Sequence, residues 1–315
     1  MQKLLNIGVD VAKDAVVVGC NEQGSAVRSI PNHRTALTAW LASLPKPSRI
    51  GMEATGCYHE LLADLAHECG HTVFVLNPKD TRHYAQAVGL RAKTDRVDAL
   101  LIARLVAHEH ARLHPYHPAT CAQRQLGRLL RRRAQLVKLK GALKQSMKGM
   151  TGLARDTSAL VAQMDALIAK LEQGMDTLIA SMPGTQEDRR KLETINGVGA
   201  VVSAALIEPL TRLPFRSSDA FVAFTGLDPR SRDSGRKVGK RRLSKRGPAE
   251  LRRLLFNAAM AATRTGVWKP IYEHYRAHGL PTTAALVVIA RKIARIAWSI
   301  HRYHTSFDPQ RLKTP

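Results

Sequence analysis

Three short apolar runs crowd into the first thirty residues: Leu4 to Val9, Ala15 to Cys20, and a third around Ala26 to Ile30 behind turn chemistry at Asn21 to Gly24. They predict an antiparallel strand meander, and whatever follows must pack on that sheet. Apolar spacing next predicts a helix near Thr35 to Ser43, a strand Arg49 to Glu53, a helix Tyr58 to Glu68, a strand Thr72 to Leu76 and helical segments from Pro78 through Val106. Strands first, then alternating strand and helix, make an α/β layout with a mixed sheet.

From about 119 to 182 the texture changes to long helices, broken near Thr151 to Thr157. The second helix repeats Leu160, Met164, Leu167, Leu171, Met175, Leu178 and Met182 in steps of three and four, the spacing of a coiled-coil seam. The first carries Arg124, Arg128, Arg131, Arg132, Arg133, Lys138, Lys140, Lys144 and Lys148. Between 111 and 150 there are 10 basic residues and no acidic one, so one face packs and the other meets phosphate or solvent. Pro183 and Gly184 end the pair, which makes 183 to 190 a linker into short helices running to about 303. The expected fold class is α/β plus α: an α/β domain over 1–112, a coiled-coil helical hairpin over 113–183 and a helical domain over 190–305.

Charge narrows the partner. Lys and Arg number 49 against 25 Asp and Glu, a balance of +24 that favours a polyanion, nucleic acid first. Residues 1 to 110 are nearly neutral at +1, so the remainder holds +23. A carboxylate-bearing domain fused to an anion-holding one has this pattern; a merely solvated basic surface is the plain alternative. Cys20, Cys57, Cys69 and Cys121 form no CxxC pair and read as thiols in a reducing compartment. With no signal pattern and no apolar run near the ~20 residues of a membrane span, a soluble cytoplasmic protein is expected.

Four carboxylates are placed where chemistry could use them. Asp10 and Glu53 sit at predicted strand ends, and Asp95 and Asp98 lie three apart on a predicted helix, hence on one face. Such a set can hold two hard cations, magnesium by preference, roughly 3.5 to 4 Å apart, to stabilise the attacking and leaving oxygens of phosphoryl transfer. Taken singly, Asp10 and Glu53 read better as turn residues, Asp95 as a helix cap or first-turn acid and Asp98 as a solvated helix residue; the four together favour the metal site.

The segments GVDVAKD around Asp10, GMEATGCYHE around Glu53 and KTDRVDAL with Asp95 and Asp98 resemble the DEDD signature of the RuvC-like, ribonuclease-H-fold domain in the Piv-like transposases and invertases, the insertion-sequence family numbered one hundred and ten. In the back half, Ile195 to Ile207, Phe224 to Gly247 and Glu250 to Ala259 resemble that family's second transposase domain. The resemblance spans almost the whole chain and rests on the ordered set of motifs. It implies DNA strand cleavage and rejoining through a covalent phosphoserine. It further implies an element-encoded bridge RNA that pairs with target and donor DNA, and a dimer or tetramer in which one protomer's carboxylates face another's serine.

The back-half motifs also read physically. Gly197, Val198 and Gly199 between apolar helical stretches resemble the turn of a helix-hairpin-helix, whose glycines let backbone amides approach phosphate; a tight helix-to-helix turn is the bland reading. Residues 230 to 253 hold 11 basic and two acidic side chains, a density suited to phosphate neutralisation by Arg232, Arg236, Lys237, Lys240, Arg241, Arg242, Lys245 and Arg246. Pro248 fits the first position of a helix bearing Leu251, Leu254 and Leu255. Ser234 lies in this basic loop beside Gly235. By itself it is an ordinary loop serine, but the resemblance assigns it the nucleophile, because the family's serine occupies the Ser-Gly step after the GLDPR-like segment. Ser244 is the competitor and Ser231 a distant third. His108, His110, His114 and His117 cluster without companion cysteines or an HExxH pattern and read as surface. Aromatics, 5% of residues, are too few for an evident base-stacking surface, so an RNA role rests on the resemblance alone.

Two rivals stay open. One is a Holliday-junction resolvase or site-specific invertase on the same fold, with water attacking or without an RNA guide. The other is a non-catalytic DNA-architectural protein, which would have no use for the four carboxylates.

Overall fold

Strand β1 (Asn6–Val11) alternates, burying Ile7, Val9 and Val11 on one face and leaving Asn6, Gly8 and Asp10 on the other. In the computed structural model, which describes residues 4–21, 26–90, 94–230, 239 and 241–312, β1 is the centre of a five-stranded sheet. β2 (Ala15–Cys20) and β3 (Arg28–Pro31) complete the antiparallel meander. Helix α1 (Arg34–Ala42) leads to β4 (Arg49–Glu53), and α2 (Glu60–Glu68) to β5 (Thr72–Leu76). β4 runs parallel to β1 and β5 parallel to β4, so the strand order is β3-β2-β1-β4-β5 and the sheet is mixed.

The sheet is covered on both faces. Leu37 and Leu41 of α1 and Leu62, Ala63 and Ala66 of α2 share one core with Ile7, Val9 and Val11. After α3 (Pro78–Ala87), the long α4 (Asp95–Glu109) covers the opposite face, packing Ile102, Leu105 and Val106 on Phe74 and Leu76. Burying each such side chain contributes about 1.5–3 kcal/mol. Asn77 and Thr94 start α3 and α4 by accepting backbone N–H bonds from Lys79 and Val97.

These elements belong to a compact unit that ends at Pro118; a second unit runs from Ala119. It opens with α5 (Cys121–Ser146), held by a reciprocal Thr120–Gln123 capping box, and returns along α6 (Ala154–Ser181). The hairpin seam differs from expectation. Ile168 and Met175 are buried while Leu160 and Leu167 remain 46% and 47% exposed, so α6 meets α5 along Val161, Met164, Ile168, Leu171, Met175 and Leu178. Both rows step by threes and fours; only the position of α5 selects between them.

Nor is 183 to 190 a linker. Gly184 takes a left-handed conformation (φ +73°), and α7 (Thr185–Glu193) starts at the next residue, with Glu187 and Asp188 complementing its positive end. Then come α8 (Ala200–Arg212), α9 (Ser218–Thr225), a small ribbon of β6 (Pro229–Arg230) and β7 (Arg242–Leu243), α10 (Ala249–Ala262), α11 (Lys269–Ala277) and α12 (Thr282–Tyr303). Pro248 precedes α10 by one residue and does not occupy its first turn. Helix α12 forms the centre, its Ile289, Ile293, Ala294 and Ala297 fully buried against Leu206, Phe221, Leu255 and Trp268. No described helix is long and apolar enough to cross a membrane.

Candidate functional site

Three glycines stand side by side across the sheet. Gly19 on β2 pairs with Gly8 on β1, and Gly8 pairs with Gly51 on β4. Paired residues share a face, and this one lies under α4. A Cβ on Gly8 would lie 2.0 Å from the Ala99 carbonyl oxygen and 2.2 Å from the Ala103 nitrogen; one on Gly51 would lie 2.3 Å from Val106 Cγ2. The row is a trough in which the helix backbone rests directly on the sheet.

The trough positions the carboxylates. Asp10 lies two residues beyond Gly8 and Glu53 two beyond Gly51, so both sit on the α4 face, and α4 begins with Asp95 and Asp98. Asp10 is the next-to-last residue of β1, paired with Val17, close to the strand end where it was expected. Glu53 is the last residue of β4.

Asp10 registers the other three. Its carboxyl is pushed above the usual range, first by burial, then by repulsion from Asp95, Asp98 and Glu53, against a smaller opposing effect of the Val11 backbone hydrogen bond. The four side chains therefore share one electrostatic neighbourhood. Their chemistry, all carboxylate oxygen, fits a hard divalent cation and disfavours a thiophilic one. As the side chains lie, no three Asp, Glu, His or Cys groups among the described residues are drawn close enough to cage an ion.

Two neighbours escaped the sequence reading. Thr81 on α3, 4% exposed, donates its hydroxyl to Glu53 Oε2 at 2.5 Å. The Asn32 side-chain amide donates to the Ala12 and Tyr58 carbonyls at 2.9 and 3.2 Å, tying the turn after β1 to the loop after β4. Neither has a spacing signal, since each acts across 20 or more residues.

In the second unit Arg128, Arg131, Arg132 and Lys138 are exposed along α5, whereas Arg133 turns inward to Glu172 of α6 at 2.6 Å. Gly197 (φ +88°) packs against α10, where a Cβ would come within 2.3 Å of the Ala258 carbonyl oxygen; Gly199 is exposed at the start of α8. Arg241, Arg242, Lys245 and Arg246 are exposed around β7. Ser244 donates its hydroxyl to Asp228 Oδ1 and its backbone N–H to the Asp228 carbonyl, 3.0 Å away. Ser231, Arg232, Ser234, Arg236, Lys237 and Lys240 lie outside the described residues.

Comparison with known proteins finds two family matches, the first of which runs past the end of the first unit through α5. Residues 7–151 match the model of the IS110-type DEDD transposases, described as "Transposase", and residues 189–276 match "Transposase IS116/IS110/IS902 family". The chain is 28% identical to the pilin gene-inverting protein of Moraxella bovis, covering 96% of this chain and 97% of that protein. It is 26% identical to the transposase for insertion sequence element IS1328 of Yersinia enterocolitica, covering 98% and 100%. A third relative, the transposase for insertion sequence element IS1111A of Coxiella burnetii, is 25% identical over 95% of this chain and 90% of its own.

Proposed function

Since this chain belongs to the IS116/IS110/IS902 family of insertion-sequence transposases, enzymes that cut and rejoin DNA, we propose that it does so through a covalent phosphoserine and a magnesium site held by Asp10, Glu53, Asp95 and Asp98 on a RuvC-like domain. The observation that carries the metal reading is the neighbourhood of Asp10, in which carboxylates from β1, β4 and α4 repel one another. When bound, two magnesium ions would neutralise charge developing on the scissile phosphate. Asp10, Glu53, Asp95 and Asp98 would hold and orient those ions. Ser234 Oγ forms a bond to phosphorus as the bond to one DNA oxygen breaks; that oxygen takes a proton, and the serine hydroxyl loses one. Phosphoserine retains the energy of the broken diester, so a DNA hydroxyl later displaces the serine without ATP, restoring both groups.

The exposed cations of α5 and of the β7 region support binding of donor and target DNA and of a bridge RNA through phosphate. An oligomer, dimer or tetramer, with composite sites completes the proposal, supported by the exposed Leu160 and Leu167 on α6. One observation favours a second nucleophile: the Ser244 hydroxyl already faces a proton acceptor, Asp228. The full-length protein with its element DNA distinguishes these readings. Ser234→Ala loses both recombinant product and any protein-DNA adduct trapped by denaturing a running reaction, while Asp10→Ala or EDTA abolishes cleavage and leaves nucleic-acid binding intact. If Ser244→Ala alone loses the adduct, the nucleophile is Ser244; if no adduct forms with either serine present, water attacks and the resolvase reading holds.

A further inference from the structure

Thr81 is a polar side chain almost sealed from solvent, yet its hydroxyl is aimed at one of the four carboxylates. A helical threonine ordinarily returns its proton to the carbonyl three or four residues back, and the Pro78 carbonyl is available at 3.1 Å. A hydroxyl has one proton, however. Glu53 Oε2 is nearer, at 2.5 Å, and charged, and a bond of that length is characteristic of a hydroxyl donating to a carboxylate. Thr81 itself is fixed by its helix: Asn77 caps α3, Pro78 opens it, and Thr81 lies one turn in.

We infer that Thr81 is a positioning residue for the metal site, holding Glu53 by Oε2 and leaving Oε1 available to a cation. The inference rests on the proposed metal site and adds to it the group that orients one ligand. A glutamate at a strand end has three rotatable side-chain bonds, and without a fixed donor it must be ordered each time an ion binds. Hydrogen bonds of this kind to a ligand are worth about 10- to 100-fold in metal affinity. The contact also joins β4 to α3, so the ligand is held by an element other than its own.

The test is manganese binding by full-length protein, read from the electron paramagnetic resonance signal of the free ion, with thermal unfolding in EDTA as a record of folding. Thr81→Val keeps the shape and removes the donor; it is expected to weaken manganese binding about 10- to 100-fold at an unchanged unfolding midpoint. Thr81→Ser restores the donor and is expected to restore affinity. If the valine variant fails to fold, Thr81→Cys, whose thiol donates weakly, takes its place. Wild-type affinity in the valine variant, or an equal loss in the serine variant, overturns the positioning role. Wild-type protein that binds no manganese, or Glu53→Gln that binds it normally, instead overturns the metal site on which the inference rests.

Discussion

Replacing Gly8 by alanine adds one methyl group at the place where α4 comes closest to the sheet. The new carbon would lie 2.0 Å from the Ala99 carbonyl oxygen and 2.2 Å from the Ala103 nitrogen, whereas ordinary contact begins near 3.4 Å. Both opposing atoms belong to helix backbone and cannot swing aside, so α4 must withdraw by about 1 Å or more. Overpacking a well-filled core costs about 1–3 kcal/mol, and two backbone clashes put Gly8→Ala near ~3 kcal/mol. Withdrawal also carries Asp95 and Asp98 away from Asp10, and misplacing catalytic groups by ~1 Å costs on the order of 10²-fold in rate. The comparison set is built in. A methyl on Gly51 meets the Val106 and Ile102 side chains at 2.3 and 3.0 Å, and one on Gly19 meets the Leu100 side chain at 3.0 Å and the Leu100 backbone nitrogen at 3.4 Å, an ordinary contact; the side chains can rotate. Urea unfolding followed by circular dichroism, beside magnesium-dependent DNA cleavage, should rank the losses Gly8→Ala, Gly51→Ala, Gly19→Ala from largest to smallest. Equal losses across the series, or a Gly8→Ala protein with wild-type stability and activity, would refute the trough.

Neutralising Arg131 and Arg132 together should flatten the log-log salt dependence of nucleic-acid binding by up to ~2, whereas Arg133→Ala, which removes an ion pair to Glu172, should leave that slope near wild type. Ile168→Ala should cost the hairpin about 2–4 kcal/mol in urea unfolding, while Leu167→Lys should leave unfolding unchanged and lower self-association in light scattering; the opposite pattern would move the seam back to Leu167. Burial holds His71 neutral and lowers its pKa. Its Nδ1 accepts the Ser48 N–H while Nε2 faces the Leu41 carbonyl. The unfolded chain therefore takes up a proton first as pH falls. The contribution is fully present above the unfolded value near ~6.5 and is lost below it, so the urea midpoint should drop between pH 7.5 and 5.5 by more than in His71→Gln.

What could be read along the chain was local. Arg49–Glu53 and Thr72–Leu76 are the expected strands because compact apolar runs with turn residues on both sides specify their own ends. Asp10 was expected at the end of its strand, since a charge closes an apolar run; β1 continues one residue further, to Val11. The glycine row was illegible. One glycine in a strand reads as a weak strand, and only the register between β2, β1 and β4 lines three of them up. Thr81 was hidden for a similar reason, its partner being 28 residues away on another element. Likewise the Leu160 and Ile168 rows are equally periodic, and the choice between them is made by α5. The carboxylates themselves were legible as an ordered set, with two on strands and two a helical turn apart.

The order of synthesis gives the trough a further role. Asp10 and Glu53 emerge from the ribosome with the strands, but α4, which carries the other two carboxylates, is the last long element of its unit. At about 5–20 residues per second, Asp95 follows Glu53 by on the order of five seconds, during which the nascent chain carries two of the acids and the row of glycines without α4. A chain interrupted in that interval holds half of the acids and no helix to bring them together. On the proposed metal site, every product of the gene that stops short of α4 therefore lacks a complete set of carboxylates, whatever else it has folded.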